Sequence, residues 1–261
     1  MKKLLLSTLV MLLLLTSCST LKTTKLMKSG EVEQKVFNVK IPFEYRLGLI
    51  ILKVTISGEA YDFLLDTGAP NVISKELAQK LELSNIFEQQ VVDSQNEEAN
   101  LGFLLIEKLG IGGINFLNTG AAVADLKQSK ELGCFQIDGF IGSNLMRKAV
   151  WKFDYQNQII TISNSVASLN ISESSEKIPF LTQITGTPII EITLNDVKEK
   201  NVVVDLGSNG DIWLSKKTFN KLVDTDPAIS RAVSFSSSSS GLYGIGAKDS
   251  VHHALISNIS F

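Results

Sequence analysis

Histidine and cysteine are scarce in this sequence. The 261-residue chain has two histidines, the adjacent His252 and His253, and two cysteines, Cys18 and Cys134. A histidine-based zinc site or a Ser-His-Asp triad therefore has few residues to draw on. Two cysteines in such different contexts also exclude a scaffold held by several disulfides, and we expect Cys134 to be a small buried core residue.

An excess of charge of one sign is also lacking. The formal net charge is -2, from 25 Lys and Arg against 27 Asp and Glu. This balance gives no electrostatic reason to expect nucleic acid as a partner. The hydrophobic content of 44% and the charged content of 20% are typical of a globular protein, long enough for one large or two modest domains.

The longest apolar run lies at the N terminus. Lys2 and Lys3 precede the run Leu4 to Leu15, which leads into Leu15-Thr16-Ser17-Cys18. This is the layout of a secretory signal, and the run is short for a membrane span. The ending resembles a bacterial lipobox, which implies a signal peptide over 1–17 and a lipid on Cys18. In the alternative, the signal is a plain one and Cys18 is incidental.

The next segment, 18–35, is predicted to be a flexible tether. It is rich in Ser, Thr and Lys between Ser19 and Gly30 and has no periodicity. It lacks acidic residues up to Gly30, and no Asp follows Cys18. By resemblance to lipoprotein sorting rules, these features imply an anchor in the outer membrane and a domain that faces the periplasm.

The remainder has β-type patterning and an internal repeat. Ile41-Pro42-Phe43 recurs as Ile178-Pro179-Phe180, 137 positions later, and the run 63–69 recurs as 202–208, 139 positions later. Short helices are predicted over Lys75–Leu83 and Lys216–Val223, after the N-caps Ser74 and Ser215. The division is a first lobe over 36–163, a linker rich in Ser, Asn and Glu over 164–176, and a second lobe over 177–261.

The strongest motif is Asp66-Thr67-Gly68-Ala69, which follows three apolar residues. Later in the same copy comes Phe140-Ile141-Gly142, two apolar residues and a glycine. This pairing resembles aspartic proteases of the retroviral–pepsin type, over about Ile41 to Phe261. The resemblance implies an all-β fold of two tandem retropepsin-like β-barrel lobes, the second incomplete.

The resemblance also implies the chemistry. Asp66 and, by the repeat, Asp205 would be the catalytic pair, held ~3 Å apart and sharing one proton because two such charges cannot both ionise. One carboxylate would act as base on a water while the other polarises the scissile carbonyl, with no metal or organic cofactor. In the alternative, Asp66 is an ordinary turn residue at a strand end. Asp138, before Gly139, is interpreted as such a turn residue.

Other residues are predicted to support the two turns. Leu206 replaces the threonine of the family pattern, so it cannot supply the hydroxyl that interlocks the turns. Ser208 can donate a hydrogen bond to Asp205 whereas Ala69 cannot do so for Asp66, which favours Asp205 as the ionised base. The full supporting set is Thr67, Gly68, Ala69, Gly207, Ser208, Phe140, Ile141 and Gly142.

In this family a hairpin after each aspartate turn covers the substrate. These flaps are predicted over Val91–Leu104 and Ser234–Ile256, with Tyr243 and Gly244 at the second tip; the alternative there is a glycine-rich surface turn. Copy two ends at Phe261, 56 positions after Asp205, whereas copy one runs 96 positions beyond Asp66 to Ile162. We therefore expect about forty residues of the second lobe, with its supporting glycine motif, to be missing, either because the sequence is a fragment or because the gene is truncated.

Three functions are weighed. The first is a membrane-tethered endopeptidase whose partner is a peptide or protein bound in extended form. The second is a non-catalytic binding lipoprotein with the same fold, favoured by Leu206 and the short second copy. The third, a homodimer built from first lobes, is less favoured because a second lobe is already encoded.

Overall fold

The computed structural model describes residues 21–92, 98–128, 130–227, 229, 231–237, 240–241, 244–245 and 248–261. The helices are α1 (21–28), α2 Lys75–Lys80, α3 Lys130–Phe135, α4 Ser143–Met146 and α5 Lys216–Thr225, with a 3-10 turn at Val166–Leu169. The strands are β1 Glu31–Val32, β2 Asn38–Pro42, β3 Glu44–Arg46, β4 Leu49–Ile56, β5 Glu59–Asp66, β6 Val72–Ser74, β7 Phe87–Val92, β8 Glu98–Ile111, β9 Ile114–Ala124, β10 Gly139–Gly142, β11 Val150–Asp154, β12 Ile159–Ser163, β13 Leu181–Thr182, β14 Pro188–Leu194, β15 Val197–Val203, β16 Arg231–Ser237, β17 Ser240–Gly241, β18 Gly244–Ile245, β19 Lys248–Ala254 and β20 Ile259–Ser260.

The first lobe is built on one curled sheet. Its strands pair in the order β9-β6-β10-β5-β4-β8, and β8 pairs again with β9, so that the sheet closes on itself. Both faces carry buried apolar side chains, because alternate residues of β4 and β5 point to opposite sides. A second, three-stranded sheet joins β11, β12 and β2.

The second lobe is smaller and less buried. Its described strands form a sheet of β13, β14, β15 and β20, the hairpin β16–β19 and the short ladder β17–β18. Its core is a small cluster around Ile192, Leu194, Val197 and Leu222. The all-β prediction is confirmed, while the β-barrel form of the two lobes stays a prediction.

The two helices predicted after the aspartate turns begin where expected. The hydroxyls of Ser74 and Ser215 accept hydrogen bonds of 3.1 Å from the backbone N–H groups three residues ahead, so both are N-caps. The first helix ends at Lys80, earlier than predicted, because Glu82 adopts a left-handed φ of 53° that turns Leu83 back toward the core. The second continues to Thr225.

The flexible tether predicted over 18–35 is wrong for residues 21–32. Residues 21–28 are helical, and Leu26 and Met27 are buried against the first lobe. The β1 strand then pairs with Leu117 and Phe116 of β9. The two adjacent apolar side chains provide the anchorage, and the polar composition around them concealed it.

Two further residues test sequence predictions. Cys134 is exposed in α3, so the buried role predicted for it is wrong, and the neighbouring Phe135 takes the core position instead. Asp138 is structural, as interpreted, because its carboxylate accepts a hydrogen bond of 3.0 Å from the N–H of Asp62. None of the helices in the described ranges has the length and apolarity to cross a membrane.

Candidate active site

Strand pairing fixes the position of Asp66 at the end of β5. The preceding residues Phe63, Leu64 and Leu65 are almost fully buried. Next to them lies β10, which runs parallel to β5 with Gly142 opposite Asp66, and which pairs with β6 on its other edge. Phe140-Ile141-Gly142 therefore packs beside the aspartate turn, where the sequence motif predicted its support.

Backbone donors hold the Asp66 carboxylate. Oδ1 accepts hydrogen bonds from the N–H groups of Gly68 at 2.8 Å and Ala69 at 3.0 Å. Asp205, which follows β15, has a related turn in which its Oδ1 accepts from the N–H of Gly207 at 2.8 Å. The hydroxyl of Ser208 accepts a bond of 3.4 Å from the N–H of Gly210, and its bond to Asp205 stays a prediction.

The glycines of the two turns allow the carboxyl groups to meet. A Cβ on Gly68 would lie 2.8 Å from both carboxylate oxygens of Asp205, and one on Gly207 would lie 2.7 Å from both oxygens of Asp66. Separations under 3.0 Å are too short for a real side chain, so each glycine makes room for the aspartate of the other lobe. The two side chains are also hydrogen-bonded to each other.

Thr67 interlocks the two turns from one side. Its hydroxyl donates a hydrogen bond of 2.6 Å to the carbonyl of Val204 and accepts one of 2.9 Å from the N–H of Leu206. Leu206 has no hydroxyl to return these bonds, and its side chain instead packs against the core of the first lobe. The first turn therefore contacts the second through hydrogen bonds, whereas the second turn contacts the first lobe through an apolar side chain.

The two carboxyl groups have different surroundings. Asp66 is of intermediate exposure, whereas Asp205 is exposed. Burial first, and then the negative charge of Asp205, raise the pKa of Asp66 from 3.8 to about 7. The raised pKa favours a protonated Asp66 near neutrality, and which member of the pair keeps the shared proton stays a prediction.

The second turn is less well covered than the first. Val203 and Val204, which precede Asp205, are 41% and 36% exposed. Within the described residues, β15 is paired with β14 on one edge and no strand lies against its other edge. The equivalent edge of β5 is covered by β10, which explains why the residues before Asp66 are buried.

A buried amide pair beneath the first turn was not predicted from the sequence. Asn144 accepts a hydrogen bond of 2.6 Å from the N–H of Asn71, and Asn71 accepts one of 2.7 Å from the N–H of Gly142. Asn144 also donates to the carbonyl of Gly120 at 2.9 Å. Their positions directly after the motifs Asp66–Ala69 and Phe140–Gly142 were the signal that could have pointed to them.

Hairpins occupy both predicted flap regions. The strands β7 and β8 pair from Phe87 to Phe103, and β16 and β19 pair from Arg231 to Ala254. Gly244 lies in β18, opposite Gly241. Tyr243 and Cys18 lie outside the described residues, so the flap role of Tyr243 and the lipid on Cys18 stay predictions.

A comparison with known protein families matches the part of the chain that contains Asp66. Residues 52–145 match the family model described as aspartyl protease. Residues 52–145 form an aspartyl protease-like domain. This domain contains Asp66, its turn and the supporting Phe140-Ile141-Gly142, and the match supports a protease-type function. Asp205 lies beyond the matched residues.

Other comparisons add the following. A solved structure of a retropepsin-like aspartic protease from Rickettsia conorii is similar to the chain at 19% identity and a TM-score of 0.35, covering 52% of this chain and 94% of that one. No curated protein matches the chain. In the part of the chain that the structure describes, no group of three or more His, Cys, Asp or Glu side chains is arranged to hold a metal ion.

Proposed function

We propose that the protein is an aspartic-type endopeptidase whose catalytic pair is Asp66 and Asp205. The observation that carries the proposal is the mutual approach of the two turns, in which Gly68 faces the carboxyl of Asp205 and Gly207 faces that of Asp66. A paired, hydrogen-bonded set of carboxyls at an interface between two lobes is an arrangement that stores one shared proton.

The unequal surroundings of the two acids suggest their roles. Asp66, whose pKa is raised to about 7, keeps the shared proton and donates a hydrogen bond to the scissile carbonyl oxygen. Asp205, the more exposed partner, takes a proton from the attacking water. The backbone N–H groups of Gly68 and Ala69 keep Asp66 oriented throughout.

The substrate is a peptide or protein segment in extended conformation. By the family resemblance, the hairpin β7–β8 of the first lobe and the hairpin β16–β19 of the second lie near the substrate cleft. An extended chain can form backbone hydrogen bonds to such strands. Side-chain selectivity then depends on the residues that line the cleft on both sides of the two aspartates.

Cleavage of a library of extended peptides tests the proposal. Asp66→Asn and Asp205→Asn should each abolish cleavage to a similar extent, because removing either member of a coupled pair costs about as much as removing both. Asp224→Asn, a change on the exposed face of α5, is the matched control and should keep full activity. Circular dichroism verifies that all three variants are folded.

Two other results would favour a different active form or a different function. If Asp205→Asn leaves cleavage intact while Asp66→Asn removes it, the active form is a dimer that pairs Asp66 with its own symmetry mate. If wild type and all variants are inert, a non-catalytic binding lipoprotein is favoured. The exposure of Val203 and Val204 and the missing hydroxyl of Leu206 are the observations that favour that alternative.

The location follows from the lipobox resemblance. A lipid on Cys18 would hold the protein at the outer membrane with its lobes in the periplasm. Because Leu26 and Met27 anchor α1 on the first lobe, the lipid on Cys18 would lie within a few residues of the folded domain. Changing Cys18→Ser should release the protein from membrane fractions, and a variant that remains membrane-bound and fully processed would place the anchor elsewhere.

A further inference from the structure

One hairpin turn occurs twice in this chain, once in each lobe. Leu47-Gly48 lies between β3 and β4, and Thr185-Gly186 lies between β13 and β14, and the two glycines are 138 positions apart, midway between the repeat offsets of 137 and 139. Both glycines have positive φ, 86° for Gly48 and 106° for Gly186, which is the conformation that a tight turn requires here. The two turns are therefore equivalent parts of the repeated unit.

The first-lobe turn contacts the loop after Asp205. The side-chain amide of Asn209 donates a hydrogen bond of 3.0 Å to the carbonyl of Leu47. A Cβ on Gly48 would lie 3.0 Å from the Cβ of Asn209, so the turn and the loop are in close contact. Asn209 is two residues beyond Gly207, whose N–H holds the carboxylate of Asp205.

The second-lobe turn contacts the residue after Gly142. The hydroxyl of Ser143 lies 3.3 Å from the carbonyl of Thr185 and 3.2 Å from the hydroxyl of Thr187. Ser143 and Thr187 are only 2% and 1% exposed, so this polar contact is sealed between the lobes. A Cβ on Gly186 would lie 2.8 Å from the carbonyl oxygen of Ser143, which fixes how closely the turn approaches.

Ser143 also contacts the turn that carries Asp66. Its N–H donates a hydrogen bond of 2.8 Å to the carbonyl of Ala69, and its hydroxyl lies 3.1 Å from the same oxygen. The N–H of Ala69 in turn donates to the carboxylate of Asp66. A continuous chain of contacts thus runs from Thr187 in the second lobe to Asp66 in the first.

We propose that these two crossed contacts, Leu47 with Asn209 and Thr185–Thr187 with Ser143, form a clasp in which each lobe's hairpin turn holds the aspartate turn of the other lobe. Ser143 and Asn209 are the positioning residues of this clasp. The inference rests on the proposed function only for its effect on catalysis. The geometry of the clasp is independent of whether any peptide is cleaved.

The clasp matters because the interlock made by Thr67 joins the two aspartate turns through hydrogen bonds from one side only. Among the described residues, the bonds from a side chain of one aspartate turn to the backbone of the other are made by Thr67, since Leu206 has no hydroxyl to return them. The turn of Asp205 also lacks a strand on its outer edge within the described residues. Additional contacts at the far sides of both turns are therefore needed to set the separation of the carboxyl groups.

The test is a titration of Asp66, followed by NMR of its side-chain carboxyl carbon in the full chain. Ser143→Ala and Asn209→Ala should lower the midpoint by about one pH unit, because Asp205 recedes and water reaches Asp66. Asp205 is the charged group that raises the pKa of Asp66, and the backbone N–H groups of Gly68 and Ala69 lower it. In assays with a peptide that the wild type cleaves, the kcat of both variants should fall about tenfold while KM changes little.

The chain offers matched controls for both variants. Ser163→Ala removes an equally buried hydroxyl, which bonds to the carbonyl of Phe37 within the first lobe. Asn38→Ala removes an exposed amide that donates to the carbonyl of Ser168 in the linker, away from both aspartate turns. Neither control should move the midpoint of Asp66, even where it lowers the free energy of unfolding.

Each outcome decides the inference. A midpoint that falls in the two clasp variants and holds in the two controls supports the clasp, even if the wild type cleaves no peptide. An unchanged midpoint in Asn209→Ala and Ser143→Ala overturns it, even if the wild type is an active protease. A midpoint that falls equally in Ser163→Ala also overturns it, because general loosening then explains the effect. Asn209 is exposed, so its variant remains informative if Ser143→Ala fails to fold.

Discussion

Gly207 in the second lobe faces the carboxyl group of Asp66 in the first. A Cβ at this glycine would lie 2.7 Å from each of the two carboxylate oxygens. The reciprocal relation holds for Gly68 and Asp205, at 2.8 Å. The glycine of each turn is therefore required by the aspartate of the opposite turn as well as by its own backbone.

Gly207→Ala should push the two turns apart. We expect peptide cleavage to fall by at least about a hundredfold, because a displacement on the order of 1 Å is enough for such a loss. The pKa of Asp66 should fall as well, since Asp205 moves away. Gly133→Ala on α3, where a Cβ meets nothing within 4 Å, is the control and should leave both properties unchanged.

Asp66→Asn should alter how stability depends on pH. The folded-state pKa of Asp66 is raised to about 7, so its contribution to stability is complete below 3.8 and is lost as pH rises through about 7. The asparagine variant lacks this loss. Its free energy of unfolding should therefore rise relative to that of the wild type from pH 3.8 to about 7, and the difference should stay constant at higher pH. Urea unfolding at a series of pH values measures the difference.

Asp154→Asn provides a comparison of opposite sign. Hydrogen bonds from Asn157 hold the pKa of the Asp154 carboxyl below its usual range. Its contribution is therefore present above the ordinary pKa and lost as pH falls, so this variant should lose stability near neutrality. If both variants gave the same trend, the assignment of the raised pKa to Asp66 would be wrong.

Thr67→Val should weaken the contact between the lobes. Valine keeps the shape but leaves the carbonyl of Val204 and the N–H of Leu206 without their partner, which should cost about 1–3 kcal/mol in total because both groups are only partly buried. Thr161→Val in β12 is the control, because both threonines are 8% exposed. The prediction fails if thermal unfolding shows the same loss for the two variants.

Met27→Ala should destabilise the first lobe, because α1 is part of its fold. The side chain is 1% exposed and packs into a core cluster with Leu26, so its truncation should cost about 2–5 kcal/mol. Leu21→Ala, at a 64% exposed position on the same helix, should cost little. Equal and small effects in chemical unfolding would restore the description of this segment as a tether.

The sequence by itself determined the local features of this protein. The run Phe63–Leu65 before Asp66 specified a buried strand that ends in a tight turn, and Ser74 and Ser215 specified where two helices begin. The repeat at offsets of 137 and 139 identified Asp205 as the partner of Asp66. These features depend on neighbours within a few residues or on similarity between two segments, and both are visible in the order of amino acids.

The tertiary structure decided what depends on approach between distant segments. The crossed contacts of Gly68 and Gly207, the bonds of Thr67 to the second lobe and the burial of Ser143 all join residues more than forty positions apart. The docking of Met27 belongs to the same class, because a largely polar helix whose two buried apolar residues are adjacent gives no periodic signal in the sequence. The raised pKa of Asp66 likewise exists only where burial and the charge of Asp205 act on it together.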